Sequence, residues 1–562
     1  MAAEGEETSL LSTSHAPPAL TSAAAAALED GDAAAMHRGS ALDATSGGGA
    51  RHRSLAATHF SHPHVGAGGV LPAEALARGS EEGFGKKTID MFGSVAFLVN
   101  GITGPGMAFA LLPSPPSPVV ALSDTHTHTA MVSIPVIYAE AGWFFPTVVF
   151  LVGMVASSFC GTMLAEAMSL IPGNVQWDKR IEYPDLVMAY TNRRGFWVAQ
   201  IFVNISLHAM NVASIIVTGQ VMDVVLIKVL GESCGLQLYP HVGWQCVHEV
   251  SRDVSPFGPV FIITLGYFLC LVLILPISFL NLDENIWIQK LSAALMIFMV
   301  LIWLITFFRI GLKYPLPAFG GSQRRVIGHV LFNYAFVITV PSWVNEKKAG
   351  VSVNKAIWSS NILSTILFIA VGVFGAMSFR FTENGDLLSS LEASGRATWI
   401  EHFAVVSFPV LCVLPSIPIL SIIVRYNLIS NDIASRTWAS IFGIAFPWAV
   451  SLVFYTGAGL GQVINWTSLV FNSVIDFVVP FWLFIRALSL FRQRLVMGSE
   501  DSVEYTSEGT MADRFRNRFK ALPDDAPIDP RKLAGILLVI MAVLCGAAII
   551  LNIYALLNAE DE

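Results

Sequence analysis

Repeated apolar runs, most of them long enough to cross a hydrocarbon core of about 30 Å, constrain this chain more than any other feature. With 54% hydrophobic and only 13% charged residues over 562 positions, it reads as a polytopic membrane protein. About eleven spans account for the pattern. The first begins near Ile89, and the next run from about Phe144 to Ile171, Phe196 to Ile227, Pro256 to Phe279 and Trp287 to Phe308. The remainder are Val326 to Val340, Asn354 to Met377, His402 to Ile423, Thr437 to Gly457, Thr467 to Leu488 and Leu533 to Leu557. The sixth is short and ends at Pro341. The fold class is therefore all-α.

Lysine and arginine set the orientation. With the amino terminus in the cytoplasm, most of the 33 basic residues fall on the cytoplasmic side, Lys179, Arg180, Arg193, Arg194, Lys347 and Lys348 among them. An odd span count then places the carboxyl terminus outside or in a lumen. Cys234 and Cys246 share the loop between the third and fourth spans on the oxidising side, where a disulfide is expected. Cys160, Cys270, Cys412 and Cys545 fall within spans and read as small apolar side chains. The net charge of -8 resides largely in tails and loops and gives no reason to invoke nucleic acid.

Residues 1–88 are rich in Ala, Gly, Ser and His and read as a disordered cytoplasmic tail without a secretory signal. Glu6 with Leu10 and Leu11 has the acidic dileucine pattern that sorting adaptors read, which fits a vacuolar or lysosomal membrane; the plasma membrane is the other reading. His52, His59, His62 and His64 lack the fixed geometry a metal site needs. Asn465-Trp466-Thr467 is formally a glycosylation acceptor in a loop too close to the membrane for use.

The first span is interrupted at Asn100-Gly101-Ile102-Thr103-Gly104-Pro105-Gly106. Glycine costs about 1 kcal/mol and proline about 3 kcal/mol in a helix interior. Irregular backbone at membrane depth survives only where protein or a water-filled cavity satisfies its polar groups, and such breaks mark solute sites in secondary transporters. Residues 108–131, with Pro113-Ser114-Pro115-Pro116-Ser117-Pro118 and Asp124-Thr125-His126-Thr127-His128-Thr129, are foreign to a packed helix. They read as an insertion within the core, either a translated intron or a real loop.

With 108–131 set aside, Asn100 and Gly104-Pro105-Gly106-Met107 run into Val132-Ser133-Ile134-Pro135, and Ala141-Gly142-Trp143 closes the string eight residues after the proline. The sixth span adds Phe332-Asn333-Tyr334-Ala335-Phe336 and Pro341-Ser342-Trp343-Val344-Asn345-Glu346. The combination resembles the amino acid/auxin permease family over roughly residues 89–557. The resemblance implies two inverted five-helix repeats, spans 1–5 and 6–10, with broken helices 1 and 6 and one extra helix. It also implies a sodium site at Asn100 and at Ser407, which stands ahead of Phe408-Pro409. Proton-coupled relatives share the scaffold, so sodium and proton both stand as coupling ions.

An amino acid must exchange hydration for fixed dipoles, and a broken helix supplies free amide hydrogens for its carboxylate and free carbonyls for its ammonium. Backbone from Asn100 to Gly106 is the predicted substrate site, with Phe332, Asn333, Tyr334 and Phe336 facing it. Gly104 and Gly106 would let the ligand approach the backbone closely. Among ionisable residues in spans, Asp476 is a candidate for coupling, His208 reads as an interior histidine, and Glu166, Glu346 and Arg425 lie near cytoplasmic ends. The function predicted is secondary active amino acid transport by alternating access. An amino acid-sensing receptor on the same scaffold is the alternative. No His-Glu-x-x-His motif, nucleotide-binding glycine loop or nucleophile signature points to an enzyme.

Overall fold

The computed structural model describes residues 84–103, 130–248, 257, 260–321, 323, 326–381, 387, 391, 398–455, 468–497 and 529–558. The tail up to 83, with Glu6, Leu10, Leu11 and the histidine group, lies outside them, as do Gly104, Pro105, Gly106, the 104–129 stretch and the 465–467 acceptor. Among the described residues, eight helices are long and apolar enough to cross a membrane. The chain is an all-α polytopic membrane protein in its membrane part.

The first span is described as α1 (Met91–Thr103) and α2 (Ala130–Ala141), and the second as α3 (Phe144–Ser169). A short helix, α4 (Tyr183–Tyr190), leads to α5 (Arg193–Leu230). Asn192 caps α5 by accepting from the Gly195 amide at 2.9 Å, and Gly231, with φ +88°, ends it in a left-handed conformation that glycine adopts freely. The loop that follows was expected only to hold a disulfide. It also forms an antiparallel sheet in the order β2-β1-β3, from β1 (Ser233–Tyr239), β2 (Gly243–Val247) and β3 (Phe261–Thr264). Cys234 stands directly opposite Cys246 in the β1–β2 register, and the two are bonded.

Thr264 caps α6 (Leu265–Ser278), which is only 14 residues long. The fifth span is α7 (Leu282–Ile310), opened by Asn281 and Glu284, whose carboxylate accepts from the Asn281 amide at 2.9 Å. The sixth divides into α8 (Val326–Asn333) and α9 (Val340–Glu346), and the seventh is α10 (Val353–Ser378). The eighth is also divided, into α11 (Trp399–Cys412) and α12 (Ser416–Ser430), which sequence reading took as continuous. Pro415 and Pro418 offer no amide hydrogen to continue the ladder there. The ninth runs from α13 (Arg436–Ser440) through a π segment, Ile441–Ala445, into α14 (Phe446–Phe454). A second π segment, Ser468–Val478, leads into α15 (Val479–Met497), and α16 (Pro530–Asn558) is last.

Several hydroxyl side chains within spans are satisfied by their own helix. Thr103, Thr162, Thr218, Thr306 and Ser360 each donate to the carbonyl four residues back. Small residues bring helices together: a Cβ at Gly372 of α10 would stand 2.5 Å from the Tyr138 ring of α2. On the outer surface, large apolar side chains such as Val543 and Ile550 of α16 are nearly two-thirds exposed, as a lipid-facing surface requires.

Candidate functional site

The break in the sixth span has several of its backbone groups tied to neighbouring elements. After Asn333 the chain turns through Tyr334, Ala335 and Phe336, tightens into a 3-10 turn at Val337–Thr339, and resumes as α9. Pro341 lies in the first turn of α9, where a missing amide hydrogen costs nothing. The Tyr334 carbonyl accepts from the Ser157 hydroxyl of α3 at 3.0 Å. Thr339 donates both its amide and its hydroxyl to the Phe336 carbonyl, at 2.9 and 2.7 Å. The Ile338 amide donates to Asp476 Oδ1 at 2.7 Å, so a carboxyl from the second π segment caps the resumed helix.

The carboxyl end of α1 faces this break. A Cβ built at Gly101 would meet the Phe336 Cβ at 3.5 Å. Asn100 donates its amide to the Gln289 carbonyl at 2.9 Å and to Gln289 Oε1 at 2.8 Å, and Gln289 donates to the Pro415 carbonyl at 2.9 Å. One hydrogen-bonded chain thus ties the first span to the fifth and to the interruption in the eighth.

Between these elements lies a small pocket walled mainly by apolar surface. Asn100 and Gly101 line it from α1, Gln289 from α7, Ala335 and Thr339 from the sixth-span break, and Ser416 from the start of α12. The interrupted sixth and eighth spans and the end of α1 therefore meet at one space.

Several predicted site residues stand elsewhere. Ile102 and Thr103 are buried within α1 but do not line the cavity. Nor do Asn333, Tyr334 and Phe336, all buried. The Tyr334 hydroxyl pairs with Thr365 Oγ1 at 2.5 Å, and neither amide atom of Asn333 has a partner among the described residues. The Phe332 side chain lies outside the described residues. Ser407 donates to the Phe403 carbonyl of its own helix at 2.6 Å and is not brought to Asn100; the hydroxyl that shares the cavity is Ser416. Gln289 and Ser416 escaped sequence reading, although a glutamine one turn into an apolar run is a legible signal.

A second cluster closes the end of the bundle where α9 ends. Glu346 is fully buried and accepts from the Gly85 amide at 3.0 Å and the Asp283 amide at 2.8 Å, with Arg180 Nη2 at 3.3 Å. Arg180 also lies 4.2 Å over the Phe84 ring. Beside it, Glu182 accepts from Ser342 at 2.5 Å and Asn345 at 3.0 Å. Burial lifts the Glu182 carboxyl to about 7, outweighing the opposing pull of Arg180. Residues 84–88, the last of the expected tail, are thus held against the core, and Ile89 bonds to the backbone of Glu346 and Lys348. Arg425 donates to the Ser278, Phe279 and Leu280 carbonyls, an end cap for α6. His208 packs edge-on against Phe442 and Phe446, with no partner for either ring nitrogen among the described residues.

The opposite end is tied by backbone. The Trp143 and Phe144 amides donate to the Pro317 and Ala318 carbonyls at 3.0 and 3.1 Å, and the Gly320 amide donates to the Ala141 carbonyl at 2.8 Å. Gly142 is required between them: its φ is +82°, and a Cβ there would stand 2.7 Å from the Ala318 carbonyl oxygen.

No protein-family model matches the chain, and no curated protein matches it. Among solved structures, MhsT in complex with L-phenylalanine is similar over 82% of this chain and 99% of that one, at 11% identity and a TM-score of 0.47. A mutant of the manganese transporter of Eremococcus coleocola is similar over 84% and 95%, at 13% identity and a TM-score of 0.39. Likeness at this level assigns neither family nor function.

Proposed function

We propose that the chain is a secondary active transporter of amino acids, of the amino acid/auxin permease type, working by alternating access with two inverted five-helix repeats and coupled to a cation. The observation that carries this reading is the meeting of the end of α1 with the break in the sixth span at one cavity. Spans 1 and 6 are five apart, as corresponding helices of two repeats would be. Backbone freed at the interruptions supplies the dipoles that a carboxylate and an ammonium need.

In this reading the Asn100 to Gly106 backbone receives the polar groups of the substrate, while Ala335, Thr339, Ile419 and Leu420 shape the space for its side chain. The Arg180, Glu182 and Glu346 cluster closes the cytoplasmic end and opens when the resumed sixth helix moves. For sodium as the coupling ion, Asn100 is the candidate ligand, with Ser416 as the hydroxyl of the eighth span. The acidic dileucine segment at Glu6, Leu10 and Leu11 directs the chain to a vacuolar or lysosomal membrane.

The test is uptake of a labelled amino acid mixture by the purified full chain in proteoliposomes. Saturable accumulation under an imposed cation gradient is the expected result. Saturable binding without flux would replace the transporter with the receptor.

A further inference from the structure

We propose that the coupling ion is the proton and that Asp476 carries it, as a releasable cap on the inner half of the sixth span; this rests on the transporter reading above. Asp476 is completely buried. One oxygen accepts the Ile338 amide, and the other, Oδ2, has no hydrogen-bond partner among the described residues. A buried carboxylate ordinarily faces a cation or a full set of donors. Glu346, at the far end of the same half-helix, has both. Asp476 is held by backbone amide alone.

Among the described side chains, the titratable groups on the elements packed against the segment that carries Asp476 are Cys160 and Glu166 on α3, Arg193, Arg194, His208, Asp223 and Lys228 on α5, His329 on α8, Arg486 on α15, and Arg531, Lys532 and Cys545 on α16, and Tyr183 of α4 reaches the segment at Ile475. Cys160 and Tyr183 are near enough to feel its charge, and both are neutral donors committed elsewhere, Cys160 to the Phe477 carbonyl and Tyr183 to the Ile475 carbonyl. Neither neutralises the carboxylate. A proton arriving from the medium forms an O–H bond at the open Oδ2 and leaves a neutral carboxyl facing the Ile338 amide. The charge-assisted hydrogen bond then becomes an ordinary one. Loss of the proton to the opposite compartment restores the anion and the cap, so the proton is the only species gained or lost.

The capped amide lies where release would matter. Ile338 adjoins Thr339, which lines the cavity, and the helix it opens carries Ser342, Asn345 and Glu346 into the end cluster. Asp476 therefore touches one element that reaches both the substrate space and the closure.

The experiment uses the full chain in proteoliposomes with a labelled amino acid mixture, under an inward proton gradient and, separately, a sodium gradient. Wild-type protein should accumulate label under the proton gradient. Asp476→Asn should lose at least tenfold of that accumulation while still exchanging labelled for unlabelled amino acids across the membrane. Equal accumulation by Asp476→Asn, or wild-type accumulation driven by sodium alone, would overturn the proposal and leave the transporter standing. A wild-type protein that exchanges nothing would remove both. Should Asp476→Asn fail to assemble, Asp476→Glu retains a carboxyl and must keep proton-driven accumulation with a displaced pH profile; a profile identical to wild type would contradict a proton carrier at this position.

Discussion

The two ends of the bundle are closed by different chemistry. At one, Ala141, Trp143 and Phe144 are tied to residues 317–320 backbone to backbone, through neutral groups that do not titrate. At the other, Glu182 and Glu346 are fully buried beside the half-buried Arg180, and the three bind separate segments, the 84–90 stretch, the start of α7 and the end of α9. A backbone tie holds regardless of pH or partner. A buried ion cluster holds only while every member is matched, which makes it the end built to release.

Removing one member of the cluster should have the largest effect. Arg180→Ala strands two buried carboxyls, and loss of a partner from a buried pair costs roughly 3–5 kcal/mol. A clear fall in the thermal unfolding temperature of the full chain in detergent is expected; an unchanged temperature would mean the cluster is more hydrated than its burial implies. At the other end, Gly142→Ala forces a left-handed residue against the Ala318 carbonyl and should cost about 2 kcal/mol. If the variant matched wild type in the same unfolding assay, the backbone tie would not be the constraint described.

Gln289→Leu removes the acceptor of Asn100 and the donor to Pro415, a loss of roughly 1–2 kcal/mol that should also weaken uptake by displacing Asn100. Uptake kinetics indistinguishable from wild type would detach this chain of hydrogen bonds from the cavity. The smallest effect concerns pH. Because Glu182 is raised from 4.5 to about 7, its contribution to stability is full below about 4.5 and is lost as pH rises through about 7. Corrected hydrogen exchange at the Ile181 amide, which donates to the Asn345 side chain that Glu182 holds, should therefore speed up several-fold over that window, while the Gly320 and Phe144 amides stay constant. Parallel behaviour of the two ends would erase the contrast between them.

Much of this architecture was legible in the sequence because lipid imposes length and composition on every span. The sixth-span interruption followed from the family resemblance, whereas Pro341, read as the end of that span, opens its resumed helix; the Cys234–Cys246 bond was announced by the side of the membrane its loop was expected to face. The break in the eighth span was missed even though Pro415 and Pro418 mark it, because an apolar run on both sides hides it from a hydropathy reading. The end cluster was invisible for a physical reason. Arg180 and Glu182 sit in a charged loop that reads as solvated, and only tertiary contact buries Glu182 fully and Arg180 in part. Of the aromatic residues predicted for the cavity wall, Tyr334 and Phe336 are buried away from it, since helix phase at an interruption does not follow from spacing. Thr339 and Ser416, small and polar, occupy the wall.

The most direct test of the central cavity is labelling of Thr339→Cys by a small thiol reagent in the full-length reconstituted protein, with and without a saturating amino acid mixture. The account predicts that Thr339→Cys reacts and that the amino acids protect it. Equal labelling rates in both conditions, in a preparation that transports, would place the substrate elsewhere.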